Sequence, residues 1–285
     1  NYPGTQITQA IVKTVLDWPN SKDEVLSIID GIAANSTAVD GLTGEKGLTN
    51  YSAYSIQNLM LFLAKFARLD PEFLPGLLQR HPKLLDTFRF FADTWALNAY
   101  YPHIGDAGWF AQKNEHYLGV PFRQPNREVG DYVKVLPMDP SMYTFFWQLY
   151  EETGDPMFAQ LMYIDNGNSA GGLPYDLFHE DPGSLQQGVE DAIAQHGSEL
   201  RRGSSDKKEW HLAVMRSDRG DDSPTFWLDY DSGGAHGHLD GLTLGLFANG
   251  MDLMTDFGYP PVNMDGWGGP YTAWYRGTLS HNTVV

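Results

Sequence analysis

The hydrophobic periodicity of the sequence changes near residue 200, and this change constrains the fold more than any other feature. Before it, apolar residues recur at helical spacing, as in TQITQAIVKTVLDW (5–18) and NYSAYSIQNLMLFLAKFARL (50–69). After the polar stretch 196–209, short alternating segments such as TFWLDYDS (225–232) are bounded by turn residues. The pattern predicts an α+β multidomain chain, with a helical domain over 1–200 and an antiparallel strand domain over 201–285.

The two predicted domains differ in how complete they look. Short loops join several of the helical segments, which favours antiparallel packing of successive helices, as in bundles or toroids. The strand domain would be a β-sandwich of only about 85 residues, and it stops inside SHNTVV (280–285), which reads as the middle of a strand. We therefore expect this sequence to be a piece of a longer protein.

Composition excludes several classes of function. The chain has 36 acidic and 19 basic residues and a net charge of −17, which argues against a nucleic-acid partner. It has no cysteine, so disulfides, thiolate metal sites and cysteine nucleophiles are excluded. No apolar run is long enough for membrane insertion, and residues 1–20 lack the features of a signal peptide. A periplasmic or secreted location is expected if a signal peptide has been removed.

Polar residues converge in the last 50 positions. AHGHLDGLTL (235–244) reads as a strand, and the period of two would place His236, His238 and Asp240 on one face. Asp256 would end the next strand, and His281 would start or precede another. A single strand histidine is more often just hydrogen-bonded or partly exposed, but two imidazoles and a carboxylate on adjacent strands would suit zinc.

The same region resembles a known family. GGAHGHLDGLTLGLFANGMDLMTDFGYP (233–260) and WYRGTLSHNTVV (274–285) are similar to the C-terminal half of the heparinase II/III-like polysaccharide lyases, although Ala235 stands where the family has glycine. The resemblance implies an (α/α) toroid, incomplete here, followed by an antiparallel β-sandwich, truncated here. It also implies that His238, Asp256 and His281 bind a structural zinc, while His236 faces the catalytic cleft.

A weaker resemblance reaches the helical half. DGLTGEKGLTNYSAYSIQNL (40–59) is similar to the family segment in which a tyrosine at the start of a helix works on the substrate. By position this catalytic tyrosine is Tyr51, and Tyr54, one turn later, is the competing candidate and a substrate contact. The family asparagine, which lies about fifty residues earlier, corresponds by position to Asn1.

The reaction implied by the resemblance is β-elimination at a uronic acid, which leaves a 4,5-unsaturated uronate end. The enzyme must neutralise the carboxylate, remove the C5 proton and protonate the leaving O4 oxygen. We expect Tyr51 to act as base or acid, His236 as its partner or as carboxylate stabiliser, and Asn1 as a neutraliser. Arg276 would contact the substrate carboxylate or form a structural ion pair, and Tyr271 would line the cleft or pack, as would Tyr275.

Two other functions are compatible with parts of the sequence. His-x-His also opens the metal sites of metal-dependent hydrolases, but their barrel needs helices between later strands, and residues 241–285 read as strands and turns only. A non-catalytic protein could bind glycans on tryptophan and tyrosine platforms. For both the lyase and the glycan-binding protein, the expected partner is an anionic polysaccharide or oligosaccharide.

Overall fold

The computed structural model describes residues 4–108, 110, 120, 138–176, 181–218, 220, 222–231 and 233–284, with the backbone alone for 53–57. Ten α-helices and five strands lie in these ranges. The helices are α1 Gly4–Asp17, α2 Lys22–Ser36, α3 Tyr51–Phe66, α4 Phe73–Arg80, α5 Lys83–Thr94, α6 Pro140–Thr153, α7 Pro156–Asp165, α8 Pro182–His196, α9 Val262–Asp265 and α10 Pro270–Tyr275. A 3₁₀ helix follows at Thr278–Ser280.

Asp-Pro pairs start three of the helices, α6, α7 and α8. The Asp139 carboxylate accepts a hydrogen bond from the Ser141 amide at the start of α6, and Asp155 accepts one from the Met157 amide at the start of α7. In each case proline takes the first helical position, where its missing N–H costs nothing. Gly154 ends α6 in the left-handed conformation, with φ of 67°.

The strands form one antiparallel sheet in the order β1-β2-β3-β4-β5. Their bounds are β1 Ser205–Lys207, β2 Leu212–Arg216, β3 Thr225–Asp229, β4 Thr243–Ala248 and β5 Met251–Asp252. Trp227 on β3 lies opposite Gly245 on β4, where a side chain would overlap the indole ring. The sheet therefore agrees with the predicted antiparallel strand region, and the described residues contain this single sheet rather than two facing ones.

Two details of the strand region differ from the prediction. β1 lies inside the stretch that was interpreted as a polar linker, because its three residues carry no alternating apolar pattern. The prediction that residues 241–285 contain no helix was wrong, since α9, α10 and the 3₁₀ helix lie there. Pro270 at the first position of α10 is a helix-start signal. The exact division of the chain at residue 200 stays a prediction.

Aromatic residues join the helices to the sheet. Trp210, which precedes β2, packs edge-to-face on Phe90 of α5, with ring centroids 5.7 Å apart. The Lys46 ammonium lies 3.9 Å from the Trp210 ring centroid and donates to the Trp210 carbonyl. It also pairs with the carboxylates of Asp229 and Asp231. These contacts fix the loop before α3 against the sheet. No helix within the described ranges is both long and apolar enough to span a bilayer.

Candidate active site

The segment that carries His236 and His238 is a loop, so the prediction that residues 235–242 form a strand was wrong. Strand β4 begins only at Thr243, and His236 itself has a φ of 58°. Gly233 and Gly234 before it also have positive φ, which glycine adopts without a steric penalty. The alternation argument therefore fails, and the two histidines come together for another reason.

Loops of the helical region hold the histidine loop in place. The Lys46 amide donates to the Ala235 carbonyl and the Asp106 amide donates to the His236 carbonyl, both at 2.9 Å. Gly105, with φ of 63°, lies so close that a Cβ atom would overlap the His236 carbonyl oxygen. A glycine is thus required at this position, and the backbone of the loop is bonded from two sides.

The Asp106 carboxylate joins the two histidines. Its Oδ2 atom lies 3.1 Å from Nδ1 of His236, and its Oδ1 atom lies 3.0 Å from Nε2 of His238. Asp106 and His238 are each 1% exposed, whereas the His236 side chain is 32% exposed. One buried carboxylate therefore orients both an accessible imidazole and a buried one.

Tyr51 lies directly against the accessible imidazole. The Tyr51 and His236 rings stack with centroids 3.5 Å apart and an interplanar angle of 10°. The hydroxyl groups of Tyr51 and Tyr259 form a hydrogen bond of 3.1 Å, and the Tyr259 ring meets Trp267 edge-to-face. Tyr51 is the first residue of α3, whose free amide groups favour negative charge nearby. The arrangement collects two phenols and an imidazole, all groups that can carry a proton.

The three predicted metal ligands also come together. One ligand atom from each of His238, Asp256 and His281 lies within 4.8 Å of the others. Nδ1 of His238 and Nε2 of His281 are buried and have no hydrogen-bond partner in the described part of the chain. A buried imidazole nitrogen without a hydrogen-bond partner or a bound ligand destabilises the folded state. The two imidazoles and the carboxylate are therefore a donor set that fits a metal ion. Asp256 lies after β5 rather than at its end, and His281 follows the 3₁₀ helix.

Burial and neighbouring carboxylates set the protonation of this group. Burial opposes the charged form of His281, but the carboxylates of Asp256, at 2.7 Å, and Asp240 outweigh it and raise the pKa of His281. Burial also raises the pKa of Asp240 and lowers that of His103, whose Nδ1 lies 3.4 Å from the Asp256 carbonyl oxygen. A bound cation would favour the deprotonated forms of His281 and Asp240 instead.

The remaining predicted residues lie in different places. Arg276 donates through Nη2 to the Gly237 carbonyl at 3.3 Å, and its own carbonyl accepts from the Leu239 amide, so its observed contacts support the histidine loop. Tyr271 on α10 is 58% exposed, and its amide donates to Asp265. The Tyr54 side chain and the whole of Asn1 fall outside the described residues.

Two residues of the site were missed from the sequence. Asp106 belongs to PHIGDAG (102–108), whose two glycines are typical of a structural turn, and Tyr259 follows the Asp-x-Gly turn at 256–258. The paired glycines around Asp106 signal a close backbone approach but not its partner, which lies 130 residues away. Tyr259 follows a turn in the sequence, but tyrosines after turns are too common for this position to indicate a site residue.

Known proteins resemble the chain in sequence over its C-terminal region and in fold over most of its length. Residues 201–285 match the family model described as heparinase II/III-like, C-terminal. This region of the chain is therefore similar to the heparinase II/III-like family, and the resemblance predicted from the motifs around His238 and His281 is confirmed. No curated protein matches the chain in sequence.

Solved structures extend the similarity to the helical region at the level of the fold. A heparan sulfate lyase mutant from Pedobacter heparinus is 13% identical, with a TM-score of 0.55 over 95% of this chain and 34% of its own. Heparinase III is 15% identical, with a TM-score of 0.56 over 98% and 37%. A second heparinase III is 14% identical, with a TM-score of 0.58 over 98% and 35%. The chain thus spans about a third of the length of the structures that it resembles.

Proposed function

We propose that the protein is a polysaccharide lyase that cleaves a uronic-acid-containing glycan by β-elimination and leaves a 4,5-unsaturated uronate end. The observation that carries the proposal is the stacked pair of Tyr51 and His236, since it puts two proton-carrying side chains in one accessible place. The heparinase fold and the family of residues 201–285 support the same class of reaction. The heparan sulfate lyase among the similar structures points to a glycosaminoglycan substrate.

β-Elimination needs a base for the C5 proton and an acid for the O4 leaving group. We assign these roles to Tyr51 and His236, which lie close enough to address neighbouring atoms of one sugar ring. The hydrogen bond between Tyr51 and Tyr259 provides a second phenol that can exchange a proton with the first. The N-terminus of α3 favours an anionic substrate group beside Tyr51. Asn1 stays the proposed neutraliser of the uronate carboxylate.

We further propose that zinc binds to His238, Asp256 and His281 with a structural role. When bound, the ion would hold three protein segments together by Lewis-acid coordination. Within the chain, Asp106 links one of these ligands to His236, so a fixed His238 would also fix the working imidazole. One buried nitrogen of His238 and one of His281 have no hydrogen-bond partner among the described residues, which supports this assignment.

Substrate contacts are proposed for Arg276, Tyr271 and Tyr54. Trp267 is a further candidate, because the residue is 51% exposed and its ring packs on Tyr259. We also propose that the helices form part of an (α/α) toroid and the sheet part of a β-sandwich. The substrate would be an anionic polysaccharide or oligosaccharide, encountered in the periplasm or outside the cell.

The alternatives find less support. A metal-dependent hydrolase barrel needs parallel strands alternating with helices, whereas every pairing in the described sheet is antiparallel. Binding a glycan without cleaving it does not require an imidazole, His236, that the buried Asp106 carboxylate orients against the Tyr51 phenol.

The deciding experiment is a panel of uronate polysaccharides, including heparan-type chains and alginate, followed by the ultraviolet absorbance of unsaturated uronate. Once a substrate is found, Tyr51→Phe and His236→Ala should each lower kcat by about 10²-fold or more. Both should leave folding and zinc content intact. His238→Ala should lose zinc and stability together.

Tyr230→Phe is the matched control, since its hydroxyl bonds Asp206 on the far strand β1 and not the site. Its rate should equal that of the parent. Parent-like turnover by Tyr51→Phe would refute the assignment of Tyr51, and Tyr259 would then be the next candidate for the catalytic phenol. If no uronate polymer yields the absorbance, the proposed lyase function is wrong.

A further inference from the structure

We infer that Asp106 is a positioning residue that sets the tautomers of His236 and His238 at once. This inference rests on the proposed function, in which His236 transfers a proton and His238 binds metal. Asp106 comes from the helical region, whereas both histidines lie on the loop before β4. A single carboxylate would thus couple the metal group to the proton-transfer pair.

The argument starts from what a carboxylate can do. An ionised carboxylate only accepts hydrogen bonds, so each imidazole nitrogen that faces it must carry a proton. The two oxygens of Asp106 face different rings, at 3.1 Å from Nδ1 of His236 and 3.0 Å from Nε2 of His238. The proton of each neutral imidazole is therefore placed on the nitrogen that faces Asp106.

The opposite nitrogens are then left with lone pairs. For His238 this is Nδ1, which is buried and has no hydrogen-bond partner among the described residues. That nitrogen is free to bind a metal ion, and His238 forms the candidate ligand group with Asp256 and His281. For His236 it is Nε2, on the partly exposed ring that stacks on Tyr51. Nε2 is thus the atom of His236 that would accept or return the proton in the reaction.

Asp106 is itself held firmly enough for this task. Its amide donates to the His236 carbonyl at 2.9 Å, and its carbonyl accepts from the side-chain amide of Asn50 at 3.0 Å. Asn50 directly precedes Tyr51 at the start of α3. The backbone of Asp106 is therefore bonded to His236 directly and to the residue next to Tyr51. Asp106 is also only 1% exposed.

The test uses nitrogen NMR of the imidazoles in metal-free protein at mildly alkaline pH, where a neutral ring shows one protonated and one bare nitrogen. We expect the Nδ1–H form of His236 and the Nε2–H form of His238. Asp106→Asn offers one acceptor oxygen and one NH₂ donor, so one of the two histidines should change tautomer. Asp106→Ala should leave both rings as tautomer mixtures.

Zinc affinity and turnover are the second and third readouts. Losing the partner of a metal-binding histidine lowers metal affinity by about 10–100-fold, which competition with a chromophoric chelator can measure. On a confirmed glycan, Asp106→Asn should lower kcat and leave KM nearly unchanged. The matched control is Asp93→Asn, which removes another carboxylate that joins the helices to the sheet, through Lys207 at 2.7 Å. The control should change stability only.

A parent protein in which His238 carries its proton on Nδ1 overturns the inference. So does an Asp106→Asn variant whose tautomers, zinc affinity and kcat all match those of Asp93→Asn. If the parent cleaves no uronate polymer, the lyase proposal fails, but the tautomers and the zinc affinity still decide the role of Asp106. If the variants do not fold, the tautomers of the parent decide it alone.

Discussion

Gly105→Ala tests whether the site depends on the close approach of two loops. Gly105 has a φ of 63°, and a Cβ atom there would overlap the His236 carbonyl oxygen and crowd the Gly47 amide nitrogen. Two of the three nearest atoms belong to the backbone, so they cannot rotate away from an added methyl group. The substitution should therefore push the histidine loop off the helical region.

A matched substitution separates backbone strain from crowding. Gly154 at the end of α6 has a φ of 67°, but a Cβ atom there would meet no atom of the described residues within 4 Å. Gly154→Ala should therefore cost only the left-handed conformation, about 1–2 kcal/mol. Gly105→Ala pays the same strain plus overpacking of about 1–3 kcal/mol, for a total of about 2–5 kcal/mol.

Urea denaturation of both variants gives the difference in the free energy of unfolding. On a confirmed substrate, Gly105→Ala should also lose about 10²-fold in kcat, because a displacement of about 1 Å is enough for that. Gly154→Ala should retain the parent kcat. If Gly105→Ala is no less stable than Gly154→Ala, the two loops are not in the close contact described.

Lys46→Met should lower the free energy of unfolding by about 1.5–3 kcal/mol, because its ammonium donates to the buried Trp210 carbonyl; a loss below about 0.5 kcal/mol would contradict this. Burial raises the pKa of Asp252 to about 6 from 3.8, so folding favours its protonated form. The stabilising contribution of protonated Asp252 is lost as the pH rises from 3.8 to about 6. Asp252→Asn should therefore make the free energy of unfolding less dependent on pH in this range. His281→Ala should reduce zinc, measured by elemental analysis, from about one equivalent to near none. Trp267→Ala should raise KM several-fold without lowering kcat, and an unchanged KM would remove it from the binding site.

The helices were predictable because they combine periodicity with local start and stop signals. Helix α3 spans most of the segment predicted around NYSAYSIQNLMLFLAKFARL, and α6 begins and ends at its Asp-Pro and Gly signals. The three candidate metal ligands were also predictable, because the motif that contains them is specific. Their side chains converge as expected, although the reasoning from strand alternation was wrong.

The geometry that orients the site was not predictable from one sequence. Asp106 reaches His236 across 130 positions, and nothing local to either residue indicates the contact. The positive φ of His236 reflects neighbouring glycines and bonds from Lys46 and Asp106, which override the strand propensity of the segment. The prediction depended on the local sequence pattern, and a local pattern does not indicate contacts between residues that are far apart in the chain.

The backbone bonds from Lys46 and Asp106 to the histidine loop limit how a polymer can enter. A hinge rotation that opened a gap between helices and sheet would break both bonds and separate Tyr51 from His236. The stacked pair proposed to be catalytic would come apart each time such a gap opened. Under the proposed function, a long glycan would therefore bind along the existing surface, past Trp267 and the exposed edge of His236, while the joint between the two regions stays closed.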